Sequence, residues 1–248
     1  MAIDLNGDVG EGFDDEALMP LLTSANIACG FHAGDPQTMD RTVALAKRHG
    51  VAVGAHPGYA DLRGFGRRPM QVNPAEIEAD VLYQIAALAG FAQARGTELV
   101  HVKPHGALYN QAASDPDLAG AIARAVAAFN RELILVGLAT SSAMREAAEA
   151  QRIRFAGEAF ADRVYNPDGT LQSRKVAGSV ITDAKAAAAQ AVSIARYGKV
   201  RAHDGSEVTL SAETLCLHGD NPGAVQNAQA VRQALLDTKI EVRALADR

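Results

Sequence analysis

The stretch LVHVKPHGALY (99–109) joins an apolar run to two histidines, a lysine and a following Pro and Gly. Three other stretches share the pattern of an apolar run ending in His near Gly or Pro: NIACGFHAGDP (26–36), VAVGAHPG (51–58) and TLCLHGDNP (214–222). The histidines at these run ends are His32, His56, His105 and His218. In barrels of alternating strands and helices, the C-terminal strand ends and the loops after them build the active site. The pattern therefore predicts one enzyme pocket assembled from distant segments.

Seven short runs are typical of strands, and they cover residues 2–6, 25–30, 51–55, 98–103, 133–138, 153–158 and 213–217. Helical segments separate most of them; Asp35 and Pro36 can start one, and Gly50 follows its end. This alternation indicates a parallel sheet with crossover helices. It is broken by a predicted hairpin at 199–210 and by a long polar loop at 159–178. Without a linker-like segment, residues 1–248 are expected to form one α/β domain.

The composition excludes several classes of protein. Hydrophobic residues make up 48% of the 248 residues, enough for a sizeable core. A formal net charge of -5 gives no electrostatic case for nucleic acid or an anionic membrane. No apolar run approaches the roughly 20 residues that span a bilayer, and no signal peptide is visible. We therefore expect a cytoplasmic protein, with Cys29 and Cys216 reduced and buried.

Strand periodicity brings the polar residues of these runs onto common faces. The sets that share a face are Asp4, Asn6 and Asp8 in the first run, His101, Lys103 and His105 in the fourth, and Cys216, His218 and Asp220 in the seventh. Glu158 ends the sixth run. If the apolar faces meet the helices, these polar faces all point into one barrel. Burying so many polar groups is unfavourable unless they bond each other, water or a ligand.

Individual residues differ in what they predict. Asp4 and Asn6 sit deep in the first run and either hold the barrel together or serve the pocket. Asp8 lies past the end of that run, which favours function. His101 lies in mid-strand, as a core histidine would. Burial of Lys103 is expected to lower its pKa and to fit it for proton transfer or for binding a carboxylate or oxyanion.

The segment HPGYADLRGFGRRPM (56–70) is rich in arginine and glycine. Arg63, Arg67 and Arg68 either cradle a carboxylate or phosphate or belong to a solvated basic loop. His and Asp at strand ends are compatible with a divalent metal, but no local motif predicts one. The sequence contains no GxxxxGK[ST] phosphate loop, no GxGxxG fingerprint and no GxSxG elbow. Any nucleotide must bind in a less familiar way or on a partner.

Six long motifs resemble the LamB/YcsF family: DLNGDVGE (4–11), TSANIACGFHAGDP (23–36), GAHPGYADLRGFGRR (54–68), VKPHGALYN (102–110), EAFADRVY (158–165) and LCLHGD (215–220). The resemblance runs in one register from about residue 3 to about residue 236. Family members often have Cys where Gly7 stands, and often Ser and Pro at Gly58 and Ala60. Gly7 argues against an obligatory thiol at that position.

The resemblance implies a distorted seven-stranded TIM-like β/α barrel of the glycoside hydrolase/deacetylase type. It also implies ring opening of 5-oxo-L-proline to L-glutamate, coupled to ATP hydrolysis, in a complex with two further subunits, B and C. Two other functions stay open, namely a stand-alone metal-dependent amidohydrolase or deacetylase and a non-catalytic binding subunit. The resemblance and the strand-end pattern together predict four catalytic residues, Asp8, Lys103, His105 and Glu158. The expected substrate-binding residues are Asn6, His32, His56, Arg67, His218 and Asp220.

Overall fold

Seven parallel strands close into a barrel in this computed structural model, which describes residues 1–217 and 223–247. The barrel strands are β1 Ala2–Val9, β2 Ser24–Ala28, β3 Ala52–His56, β4 Leu99–Val102, β5 Ile134–Leu138, β6 Phe155–Phe160 and β9 Thr214–Leu217. They pair in the order β1-β2-β3-β4-β5-β6-β9, and β9 pairs back onto β1. All seven predicted runs form barrel strands, so the predicted α/β barrel is confirmed.

The remaining strands are short. Strands β7 Lys199–Arg201 and β8 Glu207–Thr209 pair antiparallel, which confirms the predicted hairpin. Strand β10 Glu241–Val242 pairs in parallel with the start of β1, at Ala2 and Ile3. It was not predicted, because two residues carry no periodicity that a sequence pattern can detect.

Helices cover the outside of the barrel. They are α1 Asp15–Leu18, α2 Pro36–His49, α3 Pro74–Ala94, α4 Gly106–Ala112, α5 Pro116–Phe129, α6 Ser142–Gln151, α7 Ala184–Tyr197 and α8 Ala224–Asp237. Helix α2 begins and ends as predicted, because the Asp35 side chain accepts the Thr38 N–H and Gly50 follows the last residue with φ 67°. The sequence does not predict helix α4, because this helix starts directly after His105 without a side-chain cap. Among the described residues, no helix has the length and apolar character needed to cross a membrane.

The two faces of the barrel strands differ as the alternation predicted. Ile3 and Leu5 are buried in the apolar layer between strands and helices. A Cβ at Gly7 would lie 2.8 Å from the Leu22 side chain. Residue 7 therefore faces this outer layer, and a thiol there would not reach the barrel interior. Both cysteines are free and buried, as expected.

The interior of the barrel is polar, and Asp4 forms its lowest layer. Its carboxylate accepts hydrogen bonds from Thr23 Oγ1 and Ser24 Oγ, both at 2.7 Å, and from Thr214 Oγ1. These contacts join β1 to β2 and to β9, where the barrel closes. Of the two roles left open for Asp4, the structure favours the one that holds the barrel together.

Gly54 allows His101 to lie inside the barrel. The two residues are register partners on β3 and β4, and the His101 ring occupies the space above Gly54. A Cβ on Gly54 would approach His101 Nε2 to 2.1 Å, so the buried His101 ring or the backbone would have to shift.

We expect Gly54→Ala to lower the free energy of unfolding by about 1–3 kcal/mol, because it overpacks the interior. The matched control is Gly90→Ala on α3, where a Cβ would meet no atom within 4 Å. That variant should be neutral or more stable by about 0.5–1 kcal/mol, since Ala favours the helix. Urea unfolding of both variants measures the difference. Equal stability of the two would contradict the close packing of His101 on Gly54.

Candidate active site at the barrel mouth

Polar side chains from five barrel strands and the loops after them meet at the C-terminal end of the barrel. They are Asp8 and Glu11 from β1 and the turn after it, His32 from the loop after β2, His56 from β3, Lys103 and His105 from the segment after β4, and Glu158 from β6. Because the strands are parallel, their carboxyl ends share one end of the barrel. The structure thus brings together the described members of the predicted mouth.

Lys103 is the centre of a buried charge cluster. Its Nζ lies 2.7 Å from Glu158 Oε1 and 3.0 Å from Asp8 Oδ1, and it also contacts Asn6 Oδ1 and Cys216 Sγ, both at 3.2 Å. Lys103 is 3% exposed and Glu158 is fully buried. The cluster therefore joins β1, β6 and β9 to the segment after β4 through one ammonium group.

The pKa of Lys103 is raised, and the expectation that burial would lower it is wrong. Desolvation does pull this pKa down, but the negative charges of Asp8 and Glu158 raise it well above its ordinary value. Lys103 thus remains an ammonium at neutral pH and cannot take up a proton. It can act only through its charge and its N–H donors.

A layer of amide groups lies beneath this ammonium. Asn26 Nδ2 donates to Asn6 Oδ1 at 2.7 Å and to Asp8 Oδ1 at 2.8 Å, and Asn6 Nδ2 donates to Thr214 Oγ1 at 2.6 Å. His101 Nε2 bonds Asn26 Oδ1 at 2.7 Å, as a core histidine would. Both polar atoms of Asn6 are bonded within the protein. Asn6 lies below the mouth and accepts from Lys103 Nζ, and its predicted role in substrate binding stays a prediction.

The tautomers of two mouth histidines follow from their backbone partners. His56 Nδ1 lies 2.7 Å from Lys103 O, and His105 Nε2 lies 2.9 Å from Phe65 O. A carbonyl oxygen only accepts, so each of these ring nitrogens carries its proton. The opposite nitrogens, His56 Nε2 and His105 Nδ1, face each other at 3.0 Å.

Glu11 lies against these histidines, and the sequence did not single it out. Its Oε1 is 2.9 Å from His32 Nε2, 3.2 Å from His105 Nδ1 and 3.8 Å from His56 Nε2. Gly10, with φ 73°, breaks the strand alternation, so the parity that grouped Asp8 with the interior could not place Glu11 there. Its position inside the motif DLNGDVGE was the available signal.

The charges at the mouth follow from burial and contacts. Burial raises the pKa of Glu11, but its contacts with His105 and His32 outweigh this and lower it, so Glu11 is a carboxylate. Burial lowers the pKa of His32 to about 3. Neutral His32 therefore donates Nε2–H to Glu11, and its buried Nδ1 has no hydrogen-bond partner among the described residues. Burial also opposes protonation of His56, but Asp8 raises its pKa.

The loop after β3 packs over the histidines. The Phe65 ring lies edge-on to the rings of His32 and His105, with centroids 5.8 and 5.4 Å away. Gly66 has φ 60°, and a Cβ there would come within 2.7 Å of the His32 Cβ. This loop therefore needs glycine at position 66 to cover the mouth closely.

The arginines of the same loop have different partners. Arg68 pairs with Asp61, its Nε lying 2.9 Å from Oδ2, whereas the Arg67 guanidinium lies 4.9 Å from the centroid of the Phe65 ring. Arg63 is exposed and lines, with Arg68, a cavity of about 360 Å³ beside the loop. A three-arginine cradle is therefore not formed, and Arg67 is the arginine that lies against the aromatic cover of the mouth. His218 and Asp220 lie outside the described residues, so their predicted roles stay predictions.

His101 makes the stability of the chain depend on pH. Burial lowers its pKa to about 3, whereas in the unfolded chain it titrates near 6.5. Below pH 6.5 His101 binds a proton in the unfolded chain but not in the folded chain, so the free energy of unfolding falls on acidification. Between pH 7 and pH 5 this residue should account for a loss of about 2 kcal/mol. Urea unfolding should be measured at pH 7 and at pH 5 for the unmodified chain and for His101→Gln. On acidification, the free energy of unfolding of the unmodified chain should fall by about 2 kcal/mol more than that of the variant. Identical pH dependence in the two proteins would contradict the assignment.

The chain is similar to proteins from distant organisms over its whole length. It is 54% identical to a protein of Symbiobacterium thermophilum that is named as the A subunit of 5-oxoprolinase, covering 98% of this chain and 95% of that protein. It is 49% identical to a protein of the same name from Pyrococcus abyssi, covering 100% and 99% of the two chains.

Solved structures give the same result for the fold. The crystal structure of the lactam utilization protein from Thermus thermophilus matches with a TM-score of 0.93 and 49% identity, over 99% of this chain and 100% of that one. A T48 deacetylase with substrate matches with a TM-score of 0.50 and 14% identity, over 99% and 88% of the chains, which is a likeness of fold alone.

The family assignment rests on one continuous match. A profile of the LamB/YcsF family covers residues 3–248, including every motif that carries the mouth residues. With this match, and with relatives about half identical along its full length, the chain belongs to the LamB/YcsF family.

Proposed function

We propose that this chain is the A component of an ATP-dependent 5-oxoprolinase, which opens 5-oxo-L-proline to L-glutamate together with subunits B and C. The observation that carries the proposal is the buried cluster of Lys103, Asp8 and Glu158 at the mouth of the barrel. A scaffold has little reason to bury three charged groups there, since each loses its hydration. The relatives named for 5-oxoprolinase support the same substrate.

The reaction explains why such a site is needed. A five-membered lactam is a stable amide, and its hydrolysis adds water to the carbonyl carbon and breaks the C–N bond. The site must orient and deprotonate the water, stabilise the oxyanion and return a proton to the leaving amine. ATP would activate the carbonyl, and since the sequence has no known phosphate loop, we assign the nucleotide to the assembled complex.

Asp8 and Lys103 suit the first two tasks. The Asp8 side chain is 13% exposed, more than those of Lys103 and Glu158, and its Oδ2 lies 3.4 Å from His56 Nε2. Asp8 is therefore the assigned base for the water. Lys103 is the assigned cation for the oxyanion, with the substrate oxygen replacing one of its longer contacts, to Asn6 or Cys216. Glu158 acts as a positioning residue by holding the ammonium in place.

The other residues of the mouth are assigned to binding and proton transfer. Arg67 can pair with the ring carboxylate, since a guanidinium binds a carboxylate through two parallel hydrogen bonds. His105 is assigned to proton transfer to the leaving amine, and His32 and His56 to the walls of the pocket. His218 and Asp220 complete the set by sequence position alone. We further propose that residues 1–248 form one domain and that the protein acts in the cytoplasm.

A second candidate is a stand-alone amidohydrolase that needs no ATP. The cluster of Glu11 with three histidines favours it, because such groups occur in metal-dependent hydrolases. The two functions differ in what the chain does alone.

The isolated chain should show little or no ring opening of 5-oxoproline, because it lacks a known phosphate loop and works as part of a complex. Glutamate and ADP release should be measured for this chain, for subunits B and C, and for all three together. Turnover only in the complete mixture supports the proposal. Robust ATP-dependent turnover by the chain alone would contradict the requirement for subunits B and C. ATP-independent hydrolysis by the chain alone would favour the stand-alone amidohydrolase.

Removing the buried ion pair tests the role of Lys103. The double variant Lys103→Met with Glu158→Gln removes both charges together, so Glu158 is not left as an unpaired buried carboxylate. In the reconstituted complex, loss of an oxyanion donor should lower kcat by roughly 100-fold or more with little change in KM.

The matched control is Lys199→Met with Glu207→Gln, which removes an exposed ion pair of 2.6 Å in the hairpin. It should keep full activity. A thermal melt of each variant checks folding. If the Lys103 and Glu158 variant folds and keeps near-normal kcat and KM, Lys103 is structural.

A further inference from the structure

We infer that Glu11 Oε1, His56 Nε2 and His105 Nδ1 form a binding site for one divalent transition-metal ion at the mouth of the barrel. Glu11 follows β1, His56 ends β3 and His105 follows β4, so the site exists only in the folded chain. Such a site would bind its ion whether or not 5-oxoproline is the substrate, and the bound ion would replace the proton transfer assigned to His105.

The lone pairs of two ring nitrogens point into the same space. His56 and His105 each donate their other ring N–H to a backbone carbonyl, of Lys103 and of Phe65 respectively. The two facing nitrogens, 3.0 Å apart, are therefore both acceptors in the neutral rings. Glu11 Oε1 adds a third acceptor, 3.2 Å from His105 Nδ1. Three acceptors that converge in this way repel each other unless a proton or a metal cation lies between them, and a metal cation can contact all three at once.

The second ring nitrogens of His56 and His105 make the contacts that are usual for metal-binding histidines. A histidine that binds a metal usually donates its second ring N–H to a carbonyl or carboxylate, which fixes the ring orientation. Both His56 and His105 have such a partner, and both rings are buried. The free nitrogens are thus held in place before any ion arrives.

The distances between the three ligand atoms fit one bound ion. Ligands of one zinc-like ion lie roughly 3–3.5 Å apart, given metal–ligand bonds of about 2.0–2.2 Å. The separations here are 3.0 Å between the two nitrogens, and 3.2 and 3.8 Å from them to Glu11 Oε1. Asp8 Oδ2, 3.4 Å from His56 Nε2, lies next to the same space. Small side-chain shifts would bring all three ligands into bonding distance.

His32 is excluded as a ligand by the packing of its ring. It stacks on His105 with centroids 3.7 Å apart and an angle of 3° between the planes. An ion in the plane of one ring would lie well out of the plane of the other, where no lone pair points. His32 instead donates Nε2–H to Glu11 Oε1 at 2.9 Å and positions that carboxylate.

The ligand types indicate the class of metal. Two imidazoles and one carboxylate suit Zn²⁺, Co²⁺, Mn²⁺ or Fe²⁺, whereas Mg²⁺ and Ca²⁺ prefer all-oxygen sites. Three protein ligands leave coordination positions for water or for a substrate oxygen. An ion there would polarise a carbonyl oxygen, and it would offset the negative charge that an anionic substrate brings beside Asp8 and Glu11.

The test uses the untagged full chain, stripped of metal with a chelator and titrated with Co²⁺, whose visible absorption reports its coordination. We expect one Co²⁺ per chain, displaced by Zn²⁺, and a higher melting temperature with the ion present. Glu11→Gln and His105→Gln should each weaken Co²⁺ binding at least tenfold, because each removes one ligand. His203→Ala, which removes an exposed histidine in the hairpin, should bind Co²⁺ like the unmodified chain.

A dissociation constant weaker than about 1 mM for the unmodified chain would overturn the site. So would equal affinity in the folded Glu11 and His105 variants. If either variant does not fold, anomalous diffraction from crystals of the unmodified chain soaked in Co²⁺ decides the matter. A peak bonded to Glu11, His56 and His105 supports the site, and a peak only elsewhere refutes it. Neither result depends on 5-oxoproline turnover, so the metal site and the proposed function can fail separately.

Discussion

Lys103 carries a full positive charge inside the barrel, and a buried ammonium is stable only beside groups that replace its hydration. Asp8 and Glu158 supply the opposite charge, at 3.0 and 2.7 Å, from β1 and β6, which are separated by β9. Their attraction outweighs the desolvation of the amine and keeps it protonated. The same contact therefore ties strands together and sets the charge of the candidate active site, so that fold and chemistry share one interaction.

The polar interior is arranged in layers that rise toward the mouth. Asp4 and its hydroxyl partners form the lowest layer, the amides of Asn6 and Asn26 the next, and the Lys103 ion cluster lies above them. Glu11 and the histidines form the top layer. Each layer bonds the one above it, so the ligand-facing groups rest on side chains that cannot move independently. This support holds His56 and His105 with their free nitrogens facing each other.

Small residues decide how closely these layers pack. Gly54 leaves room for the His101 ring, and Gly66 lets the loop after β3 come down onto His32 and His105. A polar interior packed this tightly binds its groups to each other rather than to bulk water. Because water is excluded, the charges of Lys103, Asp8 and Glu11 act at short range and with little screening.

The sequence by itself determined the seven strands, the start and end of α2, the hairpin and the inward face of Asp8, Lys103 and His105, because periodicity and capping are local properties. It did not find Glu11, since Gly10 ends the alternation on which the parity argument relied. It also gave the wrong sign for the pKa of Lys103. The pattern of one strand is enough to infer that Lys103 is buried. The carboxylates that raise its pKa, however, come from β1 and β6. Only the closed barrel brings Asp8 and Glu158 within 3.0 Å of the ammonium, so only the tertiary structure could decide its charge.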